Sequence, residues 1–95
     1  MAAPDAAKGE HWIEHLYDLL DEADIRIDQA QRRIISHRQL MRVLARDGPQ
    51  SEISIDLHLN LQEGLRLLLT HRGMVINELT YLVRRQKRLL ELQGS

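Results

Sequence analysis

Two histidines stand one helical turn apart near the start of the chain. His11 and His15 frame the segment His-Trp-Ile-Glu-His, and on a helix both imidazoles lie on one face. Such a pair can bind Zn²⁺, with Glu14 as the base that activates a metal-bound water and Asp18 as a weak third ligand. Hydrolysis by this motif needs a far larger chain, so the sequence favours a solvated helix end. A small metal-binding helical protein that uses His11 and His15 stays an alternative.

His37 follows a serine and precedes a further apolar helical stretch. This Ser-His step resembles the phosphoacceptor segment of histidine-kinase dimerisation domains, which are dimers of helical hairpins. The resemblance implies a histidine phosphotransfer or two-component-type signalling module, but Arg38 stands where such segments carry an acidic residue. Phosphotransfer also requires an exposed, nucleophilic imidazole. The favoured interpretation of His37 is a polar residue that fixes the register of packed helices.

The residues around these histidines follow the spacing of a long amphipathic helix. Neither proline nor glycine occurs in residues 10–46, and apolar residues recur at alternating steps of three and four. This pattern predicts a first helix over about 10–46, after a flexible leader at 1–9, with a helical start from about Asp5 as the alternative. The inward-facing positions, here called the seam, are Ile13, Leu16, Leu20, Ala23, Ile27, Ala30, Ile34, His37, Met41 and Leu44.

The segment Asp47-Gly48-Pro49 predicts the end of this helix and a turn over 47–51, because glycine closes helices and proline cannot extend them. Residues 53–61 then alternate between apolar and polar types, which is a strand signal. A lone strand would have no partner for its backbone, so we predict one second helix over about 52–92. Its seam is predicted to comprise Leu57, Leu61, Leu65, Leu68, Arg72, Val75, Leu79, Leu82, Gln86 and Leu89.

Two long helices and a short turn predict an all-α fold, an antiparallel two-helix hairpin that forms a single coiled-coil-like domain over 10–92. Each helix begins with acidic residues and ends with basic ones, so antiparallel pairing places opposite charges together. Further apolar residues lie beside the two seams, and one hairpin cannot cover them all. They are Leu19, Ile35, Leu40, Val43, Leu59, Leu67, Leu69, Met74, Ile76, Val83 and Leu90.

The width of these apolar stripes predicts a homodimer that forms a four-helix bundle. An unidentified protein partner would cover the same stripes equally well. The function predicted is therefore a non-catalytic protein–protein interaction or assembly module, with no cofactor. The residues predicted to form the contact between chains are Ile27, Ile34, Met41, Leu61, Leu65, Leu68, Val75, Leu79 and Leu82.

The composition limits the other partners. The 95 residues have a formal net charge of −1 and only 3% aromatic residues, which disfavours nucleic-acid binding. No purely apolar run is longer than three residues, as in Leu67–Leu69, which is far short of a membrane span. The chain contains no cysteine, which excludes thiol chemistry, and its first ten residues do not resemble a signal peptide, so a cytoplasmic protein is expected.

Several short segments together resemble one group of proteins. These segments are Ala23–Ile27, Arg32–Ile34, Arg46–Gly48, Leu65–Leu69 and His71–Arg72. They are similar to short, uncharacterised alphaproteobacterial proteins whose two helices are joined at an Arg-Asp-Gly turn. The similarity covers about residues 20–80. It implies a helical hairpin, and it implies no activity.

Overall fold

The chain folds as an all-α helical hairpin, as the sequence predicts. A computed structural model describes residues 6–47 and 52–94. Within them α1 spans Ala6–Asp47 and α2 spans Glu52–Gln93, and no strand is present in these two ranges. The predicted turn at 47–51 falls, apart from Asp47, outside the described residues.

The first helix begins earlier than the sequence pattern indicated. Its first residue is Ala6, so residues 6–9 belong to α1 and not to the leader. Alanine and lysine are among the strongest helix formers, and three of them precede Gly9, whose cost is about 1 kcal/mol. The apolar spacing gave no sign of this extension, because these four residues bring no large side chain to the seam.

Residues 52–61 are helical, as predicted, despite their alternating pattern. The structure corrects the start of the α2 seam, however. Leu57 was predicted as a seam residue, but its side chain is 48% exposed, whereas Ser54 and His58 are half-buried. Before Leu61, the inward-facing residues of α2 are therefore His58, three positions earlier, and Ser54, four positions before that.

The described residues form two compact units, one from 6–23 with 71–94 and one from 24–47 with 52–70. In the first unit Leu16 packs with Val75 and Leu79, and all three are buried. Half-buried residues complete this core: Ile13, Leu19, Leu20 and Leu82. Gly9, two turns before Leu16, lies beside the side chain of Gln86, two turns after Leu79, so the two helices are antiparallel here.

In the second unit the buried side chains are Ile27, Ile34 and His37. They belong to the predicted seam of α1, and the α2 seam contributes half-buried leucines at 61, 65 and 68. Within this otherwise aliphatic core, His37 is the one buried polar side chain among the described residues.

Ion pairs on the helix surfaces join residues one turn apart. Arg32 donates to Asp28 at 2.9 Å, and the Arg66 guanidinium donates from Nε to Glu63 Oε2 at 2.9 Å. The hydrogen bond from Arg66 lowers the pKa of the Glu63 carboxyl below its ordinary value. Both pairs are exposed and so contribute little to stability beyond support for their helices.

Removal of a core side chain tests this packing. Leu79→Ala should lower the free energy of unfolding by about 2–3 kcal/mol, because Leu79 is 8% exposed and its loss leaves a cavity. The matched change Leu92→Ala should cost less than about 0.5 kcal/mol, because Leu92 is 73% exposed. Urea unfolding at one fixed protein concentration measures both values. Equal losses would contradict the packing described above.

Candidate functional site

Two histidines from different helices meet in the core of the second unit. His37 on α1 is 8% exposed and His58 on α2 is half-buried. Their Nδ1 atoms are 3.4 Å apart, which is the length of a weak hydrogen bond. A hydrogen bond between them requires one ring to donate its Nδ1–H and the other to accept with a bare Nδ1.

The two imidazoles face each other through their Nδ1 edges. The ring planes are inclined by only 18°, and the ring centres are 5.5 Å apart. The distance between the two ring centres exceeds the distance between the two Nδ1 atoms by nearly twice the radius of an imidazole ring. Each Nδ1 atom therefore lies close to the line that joins the ring centres. In two rings stacked face to face, the distance between the centres and the distance between the nitrogens would be similar. The arrangement directs the in-plane lone pair or N–H of each Nδ1 towards the opposite ring.

A surface groove borders His37 but not His58, and we call it the His37 groove. Its volume is about 420 Å³. One part of its lining is polar, with two arginines and a serine near His37, and the other part consists of leucines. The lining residues are Arg32, Arg33, Ser36, His37, Leu40, Leu57 and Leu61. Arg32 is paired with Asp28, so part of the positive charge beside the histidines is compensated.

His37 was a candidate from the sequence, whereas His58 was not. The heptad spacing along α2 points to His58. Leu61 and Leu65 are four residues apart, and Leu65 and Leu68 are three apart. If spacings of three and four alternate, the inward-facing residue before Leu61 is three positions earlier, at position 58. Hydrophobicity instead favours Leu57 as the inward-facing residue. In the structure His58, and not Leu57, faces inward opposite His37.

His11 and His15 lie on one face of α1, as predicted, and both are exposed. With Trp12 they line a small cavity of about 200 Å³, and the Trp12 ring meets the His15 ring edge-on at 5.8 Å between centres. Among residues 6–47 and 52–94 no group of three or more His, Asp or Glu side chains could hold a metal ion. The metal site at His11 and His15 therefore stays a prediction, without Asp18 as a third ligand.

The residues predicted for the contact between chains lie mainly in the core of the single chain. Ile27, Ile34, Val75 and Leu79 are buried, and the other five, Met41, Leu61, Leu65, Leu68 and Leu82, are half-buried. These seam residues are already used to pack one hairpin. The large apolar side chains left exposed are a different set, most of them located beside the seams. Two predicted seam residues, Leu44 and Leu57, are also exposed.

One exposed apolar surface forms a groove in the first unit, and we call it the Val83 groove. It has a volume of about 520 Å³, and its walls are mostly apolar, from Ile13, Val83 and Leu90. Gln86, Lys87 and Glu91 complete the lining, so both signs of charge stand beside the apolar surface. Ile76 continues the apolar row, since it precedes Val83 by seven residues, as Val83 precedes Leu90.

Comparison with protein-family models, with curated proteins and with solved structures gave no match. Over the described residues, neither α1 nor α2 contains a stretch long and apolar enough to cross a bilayer.

The hydrogen bond between the two histidines predicts a specific pattern of mutant stabilities. His37→Leu or His58→Leu alone should cost about 1–3 kcal/mol, because each leaves one imidazole in the core without its partner. The double variant should cost less than the sum of the two, by about 0.5 kcal/mol or more, because no unpaired imidazole remains. Urea unfolding of all four proteins at pH 7.5 gives this coupling energy. Strict additivity would show that the two rings do not interact.

Proposed function

We propose that this chain is a non-catalytic assembly module that self-associates as a homodimer of helical hairpins, with the Val83 groove as the contact. The observation that carries the proposal is the amount of apolar surface left uncovered. No described side chain is completely buried, and seventeen large apolar side chains are exposed. A single chain thus uses its seam residues for its own hairpin and leaves a second apolar surface exposed to water.

The total surface area supports this proposal. The chain exposes 7644 Å². A compact monomer of 11.1 kDa is expected to expose about 5,700 Å², so the excess is about 2,000 Å². A standard specific interface buries about 800 Å² on each partner. The chain therefore exposes more surface than a compact monomer of its mass, by an area, polar and apolar together, that exceeds one side of a standard interface.

The chemistry of the Val83 groove favours a second copy of this chain as the occupant. Its apolar row can pack against the same row of a partner, because a two-fold interface brings identical patches together. Lys87 and Glu91 stand one helical turn apart beside that row. In a two-fold pair, Lys87 of one copy can meet Glu91 of the other, and the reverse contact follows by symmetry. The groove is thus self-complementary in both hydrophobicity and charge.

A phosphotransfer role for His37 gains no support from the geometry. Such a role needs an exposed imidazole with a nitrogen open to the phosphoryl donor. The His37 ring is buried, and its Nδ1 is directed at His58. The contacts agree instead with the favoured interpretation of His37 as a polar residue between packed helices.

Sedimentation equilibrium tests the proposal. The purified chain should sediment at about twice its mass of 11.1 kDa at micromolar concentration, and its thermal midpoint should rise with protein concentration, because dimerisation stabilises the fold by mass action. A monomer that unfolds cooperatively, with a midpoint independent of concentration, would overturn the proposal.

Charge introduced into the groove tests the location of the contact. Val83→Glu and Leu90→Glu should each shift the equilibrium to monomer by at least about tenfold in dissociation constant, since each would bury a carboxylate against apolar surface. Asn77→Glu adds the same charge at an exposed position outside the groove and should leave the dimer intact. If all three variants remain dimeric, the contact lies elsewhere on the chain.

A further inference from the structure

We infer that His37 and His58 form a binding site for one borderline divalent cation, of the class of Zn²⁺, Ni²⁺ or Cu²⁺, which joins α1 to α2 in the second unit. The inference rests on the geometry of the two rings and does not depend on the self-association proposed above. It differs from the pair His11 and His15, which lies on one helix and is fully exposed.

The distance between the two nitrogens is the first observation. Zn²⁺ binds imidazole nitrogen at about 2.0–2.1 Å, so two adjacent ligands of a tetrahedral ion lie about 3.3–3.4 Å apart. The Nδ1 atoms of His37 and His58 are 3.4 Å apart. The spacing of the two nitrogens therefore matches two ligand positions of one ion, and each lone pair, which now points at the opposite nitrogen, would turn by about 35° to point at the ion.

The direction and the type of the ligands are the second observation. Both rings present their Nδ1 edges to each other, so the two atoms that would bind the metal are already adjacent. Neutral imidazoles prefer Zn²⁺, Ni²⁺ and Cu²⁺ over the harder Mg²⁺ and Ca²⁺, which take oxygen ligands. Binding requires both Nδ1 atoms to be bare, so the ring that donates in the hydrogen bond must take the tautomer with its proton on Nε2.

The His37 groove borders the site on one side. Its lining includes His37 but not His58, so the open space adjoins one ring of the pair. No third histidine or carboxylate joins the pair within the described parts of the chain, so the other coordination positions fall to water. Arg33 adds positive charge beside the site, whereas the charge of Arg32 is compensated by Asp28. These features predict a site of modest affinity.

Zinc titration of the full chain by calorimetry at pH 7.5 tests the inference. The wild-type chain should bind one Zn²⁺ per hairpin and show a higher thermal midpoint with Zn²⁺, because the ion links the two helices of the folded state. His37→Gln and His58→Gln should each weaken binding at least about tenfold. The matched double variant His11→Gln/His15→Gln should bind as the wild type does.

Two results would overturn the inference. One is the lack of any Zn²⁺ binding by the wild-type chain at millimolar concentration, and the other is a loss of binding in His11→Gln/His15→Gln with none in the variants of His37 and His58. Circular dichroism without metal establishes that each variant is folded. If both single variants unfold, substoichiometric Ni²⁺ added to the wild-type chain decides the question by NMR. The ring signals of His37 and His58 should broaden first, and earlier broadening of another histidine overturns the inference.

Discussion

The structure depends on one constraint, which is that two helices of one chain can bury only the stripe that each turns towards the other. The core of each unit is consequently one layer of side chains, such as Leu16 against Val75 and Leu79. A side chain in such a layer has solvent on two sides, and none of those described is completely buried. The hydrophobic effect scales with the area removed from water, so this hairpin gains less per residue than a domain with a closed core.

The paired histidines occupy a position where an aliphatic pair would bury more apolar surface. Their contribution is best understood through alternative registers of the same two helices. A slip of one heptad would place His58 opposite Ala30 or Leu44, and both imidazoles would lose their hydrogen-bond partner. The penalty for an unpaired buried polar group, about 1–3 kcal/mol, then falls on each competing register. Leucines at both positions would pack in all three registers, so the histidines select one of them.

Much of this fold could be predicted from the sequence, because helix type depends on local spacing and on Pro and Gly breakers. The errors arose where two physical rules disagreed. At positions 57 and 58 hydrophobicity favoured the leucine, whereas helical periodicity favoured the histidine, and periodicity determined the packing. At Ala6 helix propensity extended α1 where no seam residue was present to indicate it. The candidate site was missed for the same reason, since His37 without His58 offers no second ligand and no partner.

The heptad repeat by itself specifies that the helices pack and not how many chains take part. The positions beside the seam carry that information. In a two-stranded coiled coil they are commonly charged, and water reaches them. In α2 the corresponding row contains Ile76, Val83 and Leu90, with Lys87 and Glu91 next to it. Burial of this row requires another surface with the same spacing, and a second copy of the chain provides one without any further change in sequence.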